Sequence, residues 1–308
     1  MGGIDTQPPA AHASLNPPLF LVGAPRSGTS LVYRALCLHP GVGYISNWLR
    51  RFPRLRILSA GNRVSRSLPS LQLKYWFGAD SSNAYRYGTR RGLAERAFPA
   101  PVEGGPVYED CGLNDGEAAT AAQAARLRSA FASMARFGGG PTVVSKRIEN
   151  NGRIPLLAEV FPEARFATIV RDGRAVAYSL SAVDWWPKSH VWWLKSTPEQ
   201  WEKDGGDPWE LRAREWVEEL RRVEAGLSQL EPERVFRMSY EELVADPTGN
   251  LDRLARFAGL GESDRWSAAL RRLRYPDRNE RWRAALRPEV VARIEAVQGE
   301  ELRRHGYV

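Results

Sequence analysis

The sequence predicts an α/β fold in three layers, a central parallel sheet flanked by helices, on three observations. Short apolar runs alternate with stretches of helical spacing; a glycine loop joins the first run to the first helix; and an arginine-bearing turn follows a later run in the same strand-to-helix setting. Alternation of this kind favours a parallel sheet with helices on both faces over an antiparallel sandwich.

In chain order, residues 1–16 read as a flexible tail, with Pro8 and Pro9 inside it and Pro17 and Pro18 just beyond, and residues 17–308 as a single domain. Pro18-Leu-Phe-Leu-Val-Gly23 is a buried strand by its apolar run and closing glycine, and residues 30–38 are helical. Residues 41–116, broken by Gly, Pro and Ser, form a loop-rich insertion with short helical pieces near 68–77 and 93–98. An Ala-rich helix covers 117–137, and a strand at 141–145 follows three glycines. A helix at 154–161, a strand at 165–170 and a helix from Gly173 continue the rhythm. A long helix over 207–230 and a strand at 234–238 come next, and the chain reads as helical from Ser239 almost to its end.

Of 308 residues, 43% are apolar and 26% charged, which fits a folded domain and excludes a disordered chain. No apolar run approaches the ~18 residues of a membrane span. The N-terminus lacks the basic and apolar regions of a secretory signal, so a cytoplasmic location is expected. Cys37 and Cys111 read as free thiols, and His12, His39, His190 and His305 are too scattered for a catalytic metal site. The net charge of +8 is concentrated: residues 50–96 carry ten Arg and Lys74 against Asp80 and Glu95, a net of +9. Such a block suits an anionic partner, although a chain with 39 Arg and 5 Lys scatters positive charge by composition alone.

The sharpest motif is Gly23-Ala-Pro-Arg26-Ser27-Gly28-Thr29-Ser30 between the first strand and first helix. A glycine loop in that place turns backbone N–H groups toward one point at a helix N-terminus, a seat for a tetrahedral anion. Nucleotide hydrolysis by the Walker pattern needs Lys where Thr29 stands. A second anion site is expected where Arg171-Asp-Gly-Arg174 follows the strand ending at Val170. Arg171 then stands at the sheet edge where open α/β folds bind ligands, Asp172 caps the next helix, and Ser179 lies two turns along it.

With these elements before each motif, the chain resembles the sulfotransferases that use 3′-phosphoadenosine-5′-phosphosulfate (PAPS). Further likeness lies in Phe161-Pro-Glu-Ala-Arg-Phe166, in Tyr240-Glu-Glu-Leu-Val-Ala-Asp-Pro247, in Arg281-Trp282 and in the closing Gly306-Tyr307. The resemblance covers residues 19–308 and implies a P-loop-like fold and transfer of a sulfuryl group from PAPS to a hydroxyl of a sugar, glycolipid or small natural product, without a metal. It further implies that Arg26, Ser27, Gly28, Thr29 and Ser30 hold the 5′-phosphosulfate and that Arg171 and Ser179 hold the 3′-phosphate. Lys146, just past the second predicted strand, takes the place of a catalytic lysine and is the preferred one, the alternative being a solvated lysine at a strand end.

The acceptor hydroxyl needs a base. In the tyrosylprotein branch that base is a Glu a few residues beyond a His-Pro pair. Here His39-Pro40 is followed by Asn47 at the matching position, and Asn cannot take a proton, so peptide tyrosine is a poor expectation. Glu109 is the preferred replacement, with Asp110, Asp184 and His190 as alternatives, while His39 is expected to pack at a helix end. Trp185-Trp186 and Trp192-Trp193 suggest a lid or acceptor wall. The stretch 48–58, mixing Arg with large apolar residues, has the make-up of a membrane-surface segment. The competing readings are a small-molecule kinase, which would bind Mg-ATP, and a nucleic-acid binder, which would lose affinity steeply with salt. Nucleic acid is not the expected partner.

Overall fold

Leu19, Phe20, Leu21 and Val22 form the strand β1 (Leu19–Val22), fully buried and paired in parallel on both edges. A strand covered on both faces has no polar side to show, which is why its sequence is apolar throughout. The computed structural model describes residues 15–78, 92–113 and 118–308. Most of the expected tail and residues 79–91 and 114–116 of the expected insertion lie outside them.

The sheet is five-stranded and parallel, in the order β2 (Val42–Gly43), β3 (Thr142–Lys146), β1, β4 (Arg165–Val170), β5 (Val235–Ser239). Four strands match the expected runs. The fifth, β2, has only two residues, too few for any periodicity to reveal, and pairs Val42 with Thr142 at the sheet edge. Leu21 is level with Lys146 and Val22 with Thr168, so the carboxyl ends of β1, β3 and β4 open on one side.

Alternation along β1 divides the core. Leu19 and Leu21 pack with helix α1 (Thr29–Cys37) and the helix Pro247–Phe257 on one face. Phe20 and Val22 pack on the other with α2 (Ala121–Gly138) and α3 (Ile154–Val160). Phe20 stacks on Phe166 with ring centroids 5.4 Å apart and meets Phe131 and Phe161 at 5.9 Å each. A third cluster joins α4 (Gly173–Ser181), α5 (Pro208–Leu227) and α6 (Pro288–Arg304). The Gln298 amide of α6 donates to the Gly173 carbonyl at 3.1 Å, tying α6 to the start of α4.

Two sequence expectations are refined. The segment after Ser239 is several helices, Tyr240–Ala245, Pro247–Phe257, Asp264–Arg271, Arg281–Ala285 and α6, with breaks at Pro247, around Gly259 and Gly261, at Pro276 and before Pro288. The insertion, read as loop-rich, contains the short helices Asn47–Arg51, Gly61–Ser67, Pro69–Phe77, Leu93–Ala97 and Gly105–Asp110. Its positive charge is partly structural: Arg63 donates to the Phe137 carbonyl at 2.7 Å and Arg66 to that of Gly138 at 3.3 Å, closing the C-terminus of α2. Arg56 pairs with Asp110 at 2.7 Å.

Among the described residues no helix is long and apolar enough to cross a membrane. Truncating the central aromatic should be costly: Phe20→Ala is expected to lose about 3–5 kcal/mol of unfolding free energy in urea titration. A loss below ~1 kcal/mol would contradict the placement of Phe20 at the centre of the core.

Candidate active site

The loop between β1 and α1 bends only where its backbone allows. Gly23 and Gly28 have φ of +140° and +93°, and a Cβ at Gly23 would stand 2.6 Å from the Ile169 carbonyl oxygen, one at Gly28 2.8 Å from the Tyr240 ring. Arg26 takes φ +69°, a strained state for a residue with a side chain. Two bonds hold it: its Nε donates to Ser179 Oγ at 2.9 Å, and its carbonyl accepts from Arg171 Nη1 at 3.0 Å. Asn151 grips the loop's entry, accepting from Gly23 N–H and donating to Gly23 C=O, both at 3.0 Å. The two motifs singled out in the sequence are therefore hydrogen-bonded to each other across 145 and 153 residues of chain.

Arg171 is set just past the end of β4 and is almost completely buried. Its guanidinium donates to Asn279 Oδ1 at 3.1 Å and to the Arg278 carbonyl at 2.9 Å, and it stacks over Tyr240 at 4.3 Å. Asp172 caps α4 by accepting from Arg174 N–H at 2.8 Å. The Arg174 side chain turns the other way, paired with Asp172 and with Glu295, each at 2.8 Å, so it serves packing of α4 against α6.

These elements line one cavity of about 1150 Å³ at the carboxyl edge of the sheet. Arg26, Gly28, Thr29, Ser30, Lys146, Glu109, Arg171 and Ser179 all lie on its wall. Ser27 does not: its side chain is fully buried and its N–H closes a turn on the Ala24 carbonyl at 3.3 Å. Ten Arg or Lys side chains face five Glu around the cavity, a balance suited to a polyanion. Lys146, at the end of β3, is buried and ion-paired with Glu103.

Of the candidate bases, His190 lines the cavity, whereas Asp110 is held by Arg54 and Arg56, and Asp184 is not on the wall. Asn47 is a clamp. Its amide donates to the Arg96 and Phe98 carbonyls at 2.9 and 3.0 Å and accepts from Ala100 N–H at 3.0 Å. His39 accepts from Gly41 N–H at Nδ1 and so donates through Nε2 to the Gly261 carbonyl at 2.9 Å; burial lowers its pKa, keeping it neutral. Trp185, Trp186 and Trp192 stand on the cavity wall.

Sequence reasoning missed Glu103, Asn151 and a carboxylate pair on α5. Glu215 and Glu219, one turn apart and both buried at the cavity, accept from the indoles of Trp193 at 2.9 Å and Trp192 at 2.8 Å, with Arg222 stacked over Trp192. Burial raises both pKa values, and for Glu215 the neighbouring Glu219 charge raises it further. The i, i+4 spacing was the available signal, but on an amphipathic helix it also describes a solvated face.

Comparison with known proteins bears on what this cavity handles. The model of the sulfotransferase family matches residues 17–264. An omega-hydroxy-beta-dihydromenaquinone-9 sulfotransferase, Stf3 of Mycobacterium bovis, is 26% identical over 310 aligned positions, covering 95% of this chain and 76% of the relative. Among solved structures, sulfotransferase STF9 from Mycobacterium avium matches with a TM-score of 0.56 at 16% identity, over 94% of this chain and 77% of that one. Sulfotransferase STF1 from Mycobacterium tuberculosis matches at 0.53 and 17%, over 93% and 76%. At that identity the two structures speak for the fold.

A raised carboxylate pKa has a defined sign in stability. The folded protein keeps protons that the unfolded chain releases in the ordinary carboxylate range, so stability falls as pH rises above that range toward the raised values. Glu215→Gln is expected to flatten this fall, melting above the parent at about pH 8 and near it at about pH 5. Identical melting-temperature profiles for variant and parent would contradict the burial of the proton.

Proposed function

The chain belongs to the sulfotransferase family, and on that footing we propose that it transfers the sulfuryl group of PAPS to the hydroxyl of a lipid-type or other small-molecule acceptor. The observation that carries this reading is one cavity wall bearing the strained 23–30 loop, Arg171 with its contacts to that loop, and Lys146 against Glu103. PAPS is a co-substrate with anionic groups on both its 3′ and 5′ positions, and the wall carries Arg26, Lys146 and Arg171 to meet them. The lipid-type acceptor is favoured by the substrate in the mycobacterial relative's name and by the tryptophans on the wall.

In the reaction the acceptor oxygen forms a bond to sulfur as the bond from sulfur to the 5′-phosphate oxygen breaks. The products are a sulfate ester and adenosine 3′,5′-bisphosphate, and the hydroxyl proton passes to a base. Catalysis of such a transfer is positioning and charge stabilisation, as for phosphoryl groups. Backbone N–H groups of the loop, Thr29, Ser30 and Arg26 meet the 5′-phosphate. Lys146 neutralises charge that develops on the leaving oxygen, where one well-aimed donor is worth several kcal/mol. Arg171 and Ser179 take the 3′-phosphate. For the base, Glu109 is exposed on the cavity lip, while Glu103 touches Lys146 and is the better placed of the two.

The test is sulfate transfer from PAPS to a panel of hydroxylated lipids and phenols. Lys146→Ala is expected to lower kcat about 10²–10³-fold with affinity for the bisphosphate little changed; unaltered kcat would remove Lys146 from the reaction. Arg171→Ala is expected to weaken bisphosphate binding by at least about tenfold. Glu103→Gln should cost more turnover than Glu109→Gln, and the reverse order would assign the proton to Glu109.

A further inference from the structure

The short helix Asn47–Arg51 and the 3₁₀ turn Arg56–Ala60 carry an exposed surface that the core does not use and that meets the cavity at Arg50. Within eight residues, Arg50, Arg51 and Arg54 alternate with Phe52, Leu55 and Ile57, and all six are exposed. The three apolar side chains are 50%, 54% and 56% accessible. Arg56, between them, turns inward to Asp110 and leaves the apolar side chains outward. The guanidinium of Arg51 lies 5.7 Å from the Phe52 ring centre. Leu93, 84% exposed, stands on the helix Leu93–Ala97, which is tied to this segment through Trp48 Nε1 donating to the Ala97 carbonyl at 2.7 Å.

Six of the eight large apolar residues that are exposed among the described residues fall between Phe52 and Leu93. From residue 50 to 78 the sequence holds seven Arg or Lys and no carboxylate, and Asp110 pairs with Arg54 and Arg56 while Arg54 stays exposed. Exposed apolar side chains interleaved with cations match the boundary of an anionic bilayer, where headgroups meet the arginines and acyl chains the apolar tips. Nucleic acid would satisfy the arginines but would leave Phe52, Leu55 and Ile57 in water. Arg50 belongs both to this surface and to the cavity wall, so the patch borders the cavity mouth.

We propose that residues 50–57 dock the enzyme on an anionic lipid surface with the cavity mouth at the bilayer, where a membrane-dissolved acceptor is met. This deepens the reading above and rests on it only for the acceptor; the docking itself is independent of turnover.

The test is co-sedimentation of the full chain with vesicles of phosphatidylcholine containing about one-quarter phosphatidylglycerol, beside phosphatidylcholine alone, at low salt. Adenosine 3′,5′-bisphosphate binding is measured in parallel. The chain is expected to bind the anionic vesicles. Leu55→Ser/Ile57→Ser should weaken that binding about tenfold or more, and Arg51→Ser/Arg54→Ser by about fivefold for each charge, with bisphosphate binding unchanged in both. No sedimentation of the parent, or equal sedimentation of the Leu55→Ser/Ile57→Ser variant, would overturn the proposal. So would a short DNA duplex that displaces the chain from vesicles while the apolar variant behaves as the parent. A parent that binds vesicles but not the bisphosphate would leave docking standing and sink the PAPS reading instead.

Discussion

Everything at the cavity is placed by a strand of four residues. β1 is buried on both faces and hydrogen-bonded on both edges, so its carboxyl end has nowhere to shift, and the loop that follows starts from a fixed point. On one side β3 ends level with Leu21, and on the other β4 runs on past Val22 to Val170, which brings Lys146 and Arg171 to either side of that loop. The strained backbone at Arg26 persists because Arg171 and Ser179 bind it from β4 and α4. The two motifs are thus one assembly, in which a change at Arg171 is felt in the loop.

Charge around the cavity is arranged in two ways. Around the 23–30 loop cations prevail, and Arg171, Arg26 and Lys146 are each held by protein contacts that fix their direction, the arrangement from which electrostatic catalysis gains most. On α5, carboxylates are buried against tryptophan indoles. Glu215 and Glu219 stay protonated more readily than ordinary carboxylates, and the Asn151 amide links Glu219 to the entrance of the loop. This part of the cavity therefore combines aromatic surface with weakly ionised groups, an environment less hostile to apolar groups than paired charges would be.

What the sequence disclosed followed from proximity to regular elements. Thr29, Arg171 and Lys146 could be located because each sits next to a buried strand whose apolar run is unmistakable, and chain spacing then fixes which edge they occupy. Glu103 could not, because it comes from an irregular stretch and meets Lys146 over 43 residues. Asn279 is 108 residues from the Arg171 it supports. Neither contact has a periodic signal, and both exist only after the sheet has assembled. The helical sweep after Ser239 was right in kind and wrong in continuity, since each helix there has enough apolar spacing to hide the prolines that divide them. Asn47, read as a base lost, is a structural clamp for the strand-like segment at Phe98 and Ala100.

The central claim is that the joined loop and Arg171 form a seat for a nucleotide phosphorylated at both ends of its ribose. Calorimetric titration with adenosine 3′,5′-bisphosphate in metal-free buffer, beside Mg-ATP, tests it without knowledge of the acceptor. The account predicts tight binding of the bisphosphate that needs no metal and is lost in Arg171→Ala. Binding of Mg-ATP with indifference to the bisphosphate would contradict it and return the site to a kinase.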